Sequence, residues 1–195
     1  MIQYTERLDK ALRTVAWANE RAGEHRKGTG IPYVIHPVGV MMIASNVTDD
    51  EDTLIACLFH DILEDINDNI YDENKMREEF GNRVVEIVKD VTKNDNEPDW
   101  RARSNDYLKH LESVASDEAV IVSASDKIHN LMSILMDYFT YGEELWNRFT
   151  TKSSADQLWW YESILEVINR RKAPEKLISQ LTEQVDELKN KLNKD

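Results

Sequence analysis

The sequence predicts an all-α protein, and three observations carry that expectation. Apolar residues recur in steps of three and four along most of the chain, two-residue alternation is absent over useful lengths, and capping residues punctuate the periodic segments. Roughly eight to ten helices fit the pattern. Taken in order, Tyr4, Leu8, Leu12 and Val15 mark one face of a first helix, and Gly23 to Gly30 then breaks the period as a loop. Pro37 suits a first helical turn, where a missing N–H leaves no bond unmade. The polar stretch Ile66 to Asn74 is a second loop, and Gly81 follows Phe80 as a helix stop would. Val84, Val85, Ile87, Val88 and Val91 again have helical spacing, and Lys93 to Asp99 is a third loop that ends at Pro98-Asp99. The run Ala119-Val120-Ile121-Val122 suits a strand by composition, but it continues into a helical pattern with no breaker. Ser154-Ala155-Asp156-Gln157 resembles a capping box. Beyond Pro174, Ile178, Leu181, Val185, Leu188 and Leu192 form a short a/d seam, which fits a helix docked on its own domain and a self-associating helix equally.

The 195 residues suit one ordinary domain, and 41% hydrophobic residues suffice for a core. With 37 acidic against 24 basic residues the net charge is −13, which disfavours nucleic acid polymers and anionic membranes as partners. A phosphate ligand must therefore meet a local cluster of cations. The single cysteine, Cys57, lies in the apolar run Leu54 to Phe59, so it reads as a buried structural thiol in a reducing compartment. No basic, then apolar, leader opens the chain and the longest apolar stretch, Val38 to Ala44, is too short to span a bilayer. A cytoplasmic protein is expected, in which the sequon Asn46-Val47-Thr48 is coincidental.

The chemistry-bearing residues cluster in Phe59-His60-Asp61-Ile62-Leu63-Glu64-Asp65. On a helix, one imidazole and three carboxylates at i, i+1, i+4 and i+5 crowd one sector. That crowding is costly without a cation; a solvated acidic helix end is the alternative. Two other polar residues sit in apolar surroundings, His36 in Tyr33-Val34-Ile35-His36-Pro37 and Asp126 in Ser123-Ala124-Ser125-Asp126-Lys127-Ile128. His36, His60, Asp61 and Asp126 together form a closed ligand set for one divalent transition metal. The donor types fit Mn²⁺, Fe²⁺, Co²⁺ or Zn²⁺ alike, and the absence of Cys ligands argues against structural zinc. His25 and His110 lie in hydrophilic contexts and read as structural, while His129 fits a place behind the ligands.

The order His…His-Asp…Asp resembles the HD superfamily of metal-dependent phosphohydrolases. The resemblance is closer in Arg26-Lys27-Gly28-Thr29-Gly30-Ile31-Pro32-Tyr33-Val34-Ile35-His36-Pro37, His60-Asp61-Ile62-Leu63-Glu64-Asp65, Phe80-Gly81, Val91-Thr92-Lys93 and Asp126-Lys127-Ile128-His129-Asn130-Leu131. These segments look like the hydrolase domain of RelA/SpoT homologues and the small alarmone hydrolases, from about Ala18 to about Leu135. The resemblance implies a single HD-domain helical bundle over 1–173, with 174–195 as a C-terminal amphipathic helix. It implies His36, His60, Asp61 and Asp126 as ligands, usually for Mn²⁺, and Glu64 and Asp65 as the pair that positions and deprotonates the attacking water. Elementary chemistry agrees, since a metal lowers the pKa of bound water and a nearby carboxylate takes the proton. Arg26 and Lys27 match basic residues beside the nucleotide, Asn130 matches a nucleotide contact, and Gly28-Thr29-Gly30 lets the backbone approach.

Alarmone hydrolases typically carry Asp-Arg-Leu-His-Asn-Met-Arg-Thr where this chain has Asp126-Lys127-Ile128-His129-Asn130-Leu131-Met132-Ser133. Lys127 keeps a charge for phosphate, but Met132 removes a guanidinium and its bidentate contact. Asp99 to Leu108, Leu145 to Phe149 and Asp156 to Tyr161 resemble a subgroup of free-standing bacterial HD hydrolases. There Arg101 and Arg103 fit either phosphate contacts or a solvated helix face, and Trp146, Trp159 and Trp160 fit the core. The remaining chain is too short for a synthetase domain. The expected activity is that of an Mn²⁺-dependent hydrolase of a small nucleotide, guanosine 3′,5′-bis(diphosphate)-like, releasing pyrophosphate from the 3′ position. Met132 keeps open a different nucleotide or phosphorylated metabolite, and a non-catalytic sensing module that forms a homo-oligomer through its terminal helix is the third reading.

Overall fold

A computed structural model describes residues 3–93 and 97–193. Among these residues the regular elements are helices, and the β structure is an isolated bridge between His25 and Pro32. The first periodic face becomes α1 (Glu6–Ala22), which buries Leu8, Ala11, Val15 and Ala18 and packs on α3 (Glu51–Phe59). Thr5 caps α1 by accepting from Leu8 N–H, and Gly23 ends it at φ 74°, a conformation that a Cβ disfavours. Between them, α2 (Ile35–Ala44) carries Pro37 in its first turn, which leaves His36 at the mouth of the helix.

Every residue of α3 from Thr53 to Phe59 is buried, and Cys57 lies fully inside, where burial pushes its thiol pKa up. One turn, α4 (Ile62–Asp65), follows at once. The sequence suggested an unbroken helix here; instead α3 stops at Phe59 and Asp61 takes φ −99°, ψ −5°. His60 and Asp61 span the junction between the two helices, and their side-chain tips meet at 3.0 Å.

Asp72 caps α5 (Glu73–Phe80), so the loop expected from Ile66 to Asn74 ends slightly early, and Gly81 at φ 91° separates α5 from α6 (Asn82–Val91). The centre of the expected Lys93 to Asp99 loop, residues 94–96, lies outside the described residues. Asp99 then caps α7 (Trp100–Ser113). The 25-residue α8 (Asp117–Tyr141) is the axis of the molecule, with α2, α3 and α6 packed around it. The β-branched run Ala119 to Val122 lies within it: Ser116 caps the helix by accepting from Ala119 N–H, and burial of Ala119, Val120 and Val122 outweighs strand propensity.

A 3-10 helix (Gly142–Arg148) leads to α9 (Ser154–Arg170). The cap of α9 is Ser153, accepting from Asp156 N–H at 3.1 Å, and not Ser154, which is already helical. Finally α10 (Glu175–Leu192) lies against α8 and α9 and buries Leu177, Leu181, Val185 and Leu188. Leu181 is fully buried, so Leu181→Ala is expected to destabilise the fold by about 2–5 kcal/mol in denaturant titration. No helix of the described residues is long and apolar enough to cross a membrane.

Candidate metal centre

Three elements deliver four side chains to one point. His36 comes from the first turn of α2, His60 and Asp61 from the break between α3 and α4, and Asp126 from the middle of α8. Nε2 of His36 lies 3.1 Å from Nε2 of His60, 3.2 Å from Oδ1 of Asp126 and 3.4 Å from Oδ2 of Asp61. Nε2 of His60 lies 3.0 Å from Oδ2 of Asp61 and 3.6 Å from Oδ1 of Asp126. Both histidines and Asp126 are buried, and their ligand atoms fit a common ion.

The donor chemistry also fits a cation. Nδ1 of His60 is 2.8 Å from the carbonyl oxygen of Cys57, an acceptor only, so Nδ1 bears hydrogen and neutral His60 presents a lone pair at Nε2. Each of the two imidazole nitrogens then faces both carboxylate oxygens across 3.0–3.6 Å. Ligand atoms about 2.1 Å from one ion are separated by about 3.0–3.4 Å for right-angled to tetrahedral arrangements. Without an ion, protons fill the same need. Burial works against a charged His60, but Asp61 and Asp126 override it and hold its pKa well above the usual range. Burial likewise opposes ionised Asp61 and Asp126, and the histidines, with Lys127 at Asp126, hold both well below the usual carboxylate range. Metal uptake at this set should therefore release protons.

The two further carboxylates lie beside the cluster on α4. Burial raises Glu64, whose Oε1 accepts from the Lys93 N–H at 2.5 Å; that bond opposes the rise and Asp61 adds to it. Asp65 stands at the solvent edge, yet the protein packed around its carboxyl, then Asp61, Glu64 and Glu24, push it up to about 7, with Lys27 opposing. A carboxyl with that pKa is poised to exchange a proton near neutrality. In metal-free protein its carboxyl resonance is expected to titrate near pH 7, and a diamagnetic divalent cation should move that midpoint down. An unmoved midpoint would place the cation elsewhere.

His60, Asp61 and Asp126 line a cavity of about 620 Å³. The chain is strongly acidic overall, but Arg26, Lys27, Lys93, Arg103, Lys127 and Arg148 all line this cavity. Arg26 Nη2 donates to Asn130 Oδ1 at 3.0 Å, and Asn130 Nδ2 donates to Asp126 Oδ1 at 2.5 Å, so the two expected nucleotide contacts are tied to a candidate ligand. Lys27 is exposed at the rim, while Lys127 is buried and donates to Asp126 Oδ2. Arg101 turns away, bonding Asp156 at 2.5 Å and covering the ring of Trp159. Trp146 and Trp160 are buried as expected, and Trp160 also borders the cavity.

Sequence reasoning passed over four residues here. The O–H of Tyr33 donates to Oδ2 of Asp61 at 2.5 Å, and its ring lies under the Arg26 guanidinium. The ammonium of Lys93 sits over Trp160 at 4.7 Å, and burial, then Lys127, lower its pKa to about 8. Arg148, held by Asp137 at 2.7 Å and stacked on Tyr141, closes on Gly28, where a Cβ would meet its side chain at 2.3 Å. Gly39 makes room for His129 in the same way. Tyr33, Lys93 and Arg148 all lie within segments that carry the family resemblance, which was the available signal; that Arg148 reaches the cavity depends on the 3-10 helix.

Comparison with known proteins gives a consistent picture. A family model described as an HD domain matches residues 14–142. Guanosine-3′,5′-bis(diphosphate) 3′-pyrophosphohydrolase of Aquifex aeolicus is 34% identical over 132 residues, which span 67% of this chain and 18% of that longer protein. The MESH1 protein of Danio rerio, which carries the same enzyme name, is 34% identical over 128 residues, covering 63% of this chain and 68% of MESH1. A solved structure described as a metazoan ortholog of SpoT that hydrolyzes ppGpp superposes with a TM-score of 0.76 at 20% identity, over 94% of this chain and 96% of the other. A Listeria monocytogenes structure superposes with a TM-score of 0.67 at 22% identity, over 77% of this chain and 96% of the other. At those identities the two superpositions speak for the all-α fold.

Proposed function

Because this chain belongs to the HD-domain family, and matches MESH1 over most of that protein's length, we propose that it is a metal-dependent 3′-pyrophosphohydrolase of guanosine 3′,5′-bis(diphosphate) or a close analogue. One observation carries the reading most. Two imidazoles and two carboxylates converge beside a cavity lined by two perturbed carboxyls and six cationic side chains, in a chain whose overall charge repels phosphate. We assign His36, His60, Asp61 and Asp126 as ligands and Mn²⁺ as the resident ion, with Fe²⁺, Co²⁺ and Zn²⁺ sharing the donor preference. When bound, the ion supplies Lewis-acid activation of water and neutralises phosphate charge.

The remaining work falls to this chain's own side chains. Arg26 and Lys27 hold the nucleotide phosphates at the rim; Lys127 places a buried positive charge beside Asp126; Asn130 orients the Arg26 guanidinium. Glu64, anchored by the Lys93 N–H, orients the attacking water, and Asp65 accepts its proton. A bond forms from the water oxygen to the phosphorus next to the 3′ oxygen, the bond from that phosphorus to the 3′ oxygen breaks, and the leaving 3′ oxygen takes up a proton from solvent while Asp65 returns its own to solvent. The products are pyrophosphate and a nucleoside 5′-diphosphate. Residues 1–173 are read as the hydrolase domain and 174–195 as its terminal helix, in a cytoplasmic setting that suits the buried free thiol. The test is pyrophosphate release by the Mn²⁺-loaded protein from guanosine tetraphosphate, guanosine pentaphosphate, NADPH and ordinary nucleotides. Release from the 3′-pyrophosphates supports the assignment. Activity confined to another phosphate ester keeps the chemistry and replaces the substrate, the outcome Met132 keeps open.

A further inference from the structure

His129, one turn after Asp126 on α8, has its Nδ1 2.9 Å from Nδ1 of His36, with the two ring centroids 4.9 Å apart. Neutral rings at that distance share a single hydrogen, and which ring owns it decides what His36 offers on its other side. If His129 donates, the neutral His36 keeps its hydrogen on Nε2, 3.1 Å from Nε2 of His60 and with no lone pair for an ion. If His36 donates, its Nε2 is bare, like that of His60, whose Nδ1 is committed to the Cys57 carbonyl. Each candidate imidazole ligand is thus pinned from behind, one by a carbonyl and one by a second imidazole.

The second imidazole reaches its place only because α2 is notched. A Cβ added at Gly39 would stand 2.2 Å from Cδ2 and 2.4 Å from Nε2 of His129. Gly39 lies inside a helix, where alanine is ordinarily the better residue. Backbone conformation does not explain this glycine; the ring lodged against it does.

We propose that His129 is a positioning residue whose Nδ1 accepts the Nδ1–H of His36, leaving Nε2 of His36 bare toward His60, Asp61 and Asp126, and that Gly39 is the notch admitting its ring. This rests on the metal-centre reading and adds to it the residue that selects the ligand's tautomer.

The experiment is Mn²⁺ titration by calorimetry of the metal-stripped full chain, with ¹⁵N spectra of the Zn²⁺-loaded form. His129→Leu, which lacks an acceptor, is expected to bind Mn²⁺ about 10–100-fold more weakly. His129→Gln, whose side-chain carbonyl accepts, should recover most of that loss. The Zn²⁺-loaded wild type should carry hydrogen on Nδ1 of His36 and none on Nδ1 of His129. Gly39→Ala should weaken Mn²⁺ binding, and adding His129→Ala should restore thermal stability without restoring affinity. Unchanged affinity in His129→Leu, equal losses in the Leu and Gln variants, or hydrogen on Nδ1 of His129 would each overturn the assignment. A wild type that binds no Mn²⁺ fails the metal-centre reading itself and takes this assignment with it, whereas wild-type binding that survives His129→Leu overturns this assignment alone.

Discussion

Asp126→Ala is expected to abolish Mn²⁺ binding and measurable turnover, and to cost about 3–5 kcal/mol of stability as well. The two losses have different causes. The first follows from removing Oδ1, which faces the imidazoles at 3.2 and 3.6 Å. The second follows from Oδ2, the ion-pair partner of Lys127, because both side chains are more than nine-tenths buried and the ammonium is left among Tyr107 and Trp160 without a counter-charge. Burial pushes that ammonium toward neutrality, and in the wild type Asp126 more than reverses the effect. The causes separate experimentally. Adding Lys127→Met to Asp126→Ala should restore much of the stability in denaturant titration, since replacing both members of a buried pair by apolar groups is often tolerated, and should restore none of the activity.

The second large effect belongs to the acidic pair. Glu64→Gln and Asp65→Asn are each expected to lower kcat by about 10²–10⁴ while Mn²⁺ affinity stays within a few-fold, because neither carboxyl belongs to the four convergent donors. Asp65→Asn should also change the shape of the pH profile. A base acts when ionised, so wild-type turnover falls as pH drops through the Asp65 pKa. Burial and the neighbouring carboxylates raise that pKa to about 7 in the metal-free protein, and a cation beside it brings the limb lower. The asparagine variant should lose that acid limb. Full turnover in either variant would remove the pair from the mechanism.

Much of this was legible in the sequence, and its limits are physical. Helical spacing showed the all-α class, because the period of buried residues is set by the helix itself. Adjacency of His60 and Asp61, with His36 and Asp126 in apolar runs, marked the two imidazoles and two carboxylates that the fold brings to 3.0–3.6 Å across each His–Asp pair. Local spacing could not show that α3 stops at Phe59 and α4 starts at Ile62, since each half reads as helix. The cap of α9 shifted by one residue because Ser153 and Ser154 are chemically equivalent, and only backbone geometry chooses between them. The cationic lining of the cavity was only partly visible. Arg148 and Lys93 come from segments far from the HD pair, and Gly39 reads as an ordinary helix residue until His129 is placed against it.

The most direct measurement of the central claim is turnover of guanosine tetraphosphate by metal-stripped protein as Mn²⁺ is returned, with bound metal counted on the same samples. Activity near zero in the stripped protein, rising to a plateau at one ion per chain and absent from His60→Ala, is the expected result. Full turnover by stripped protein in the presence of a chelator, or an undiminished rate in His60→Ala, would contradict it.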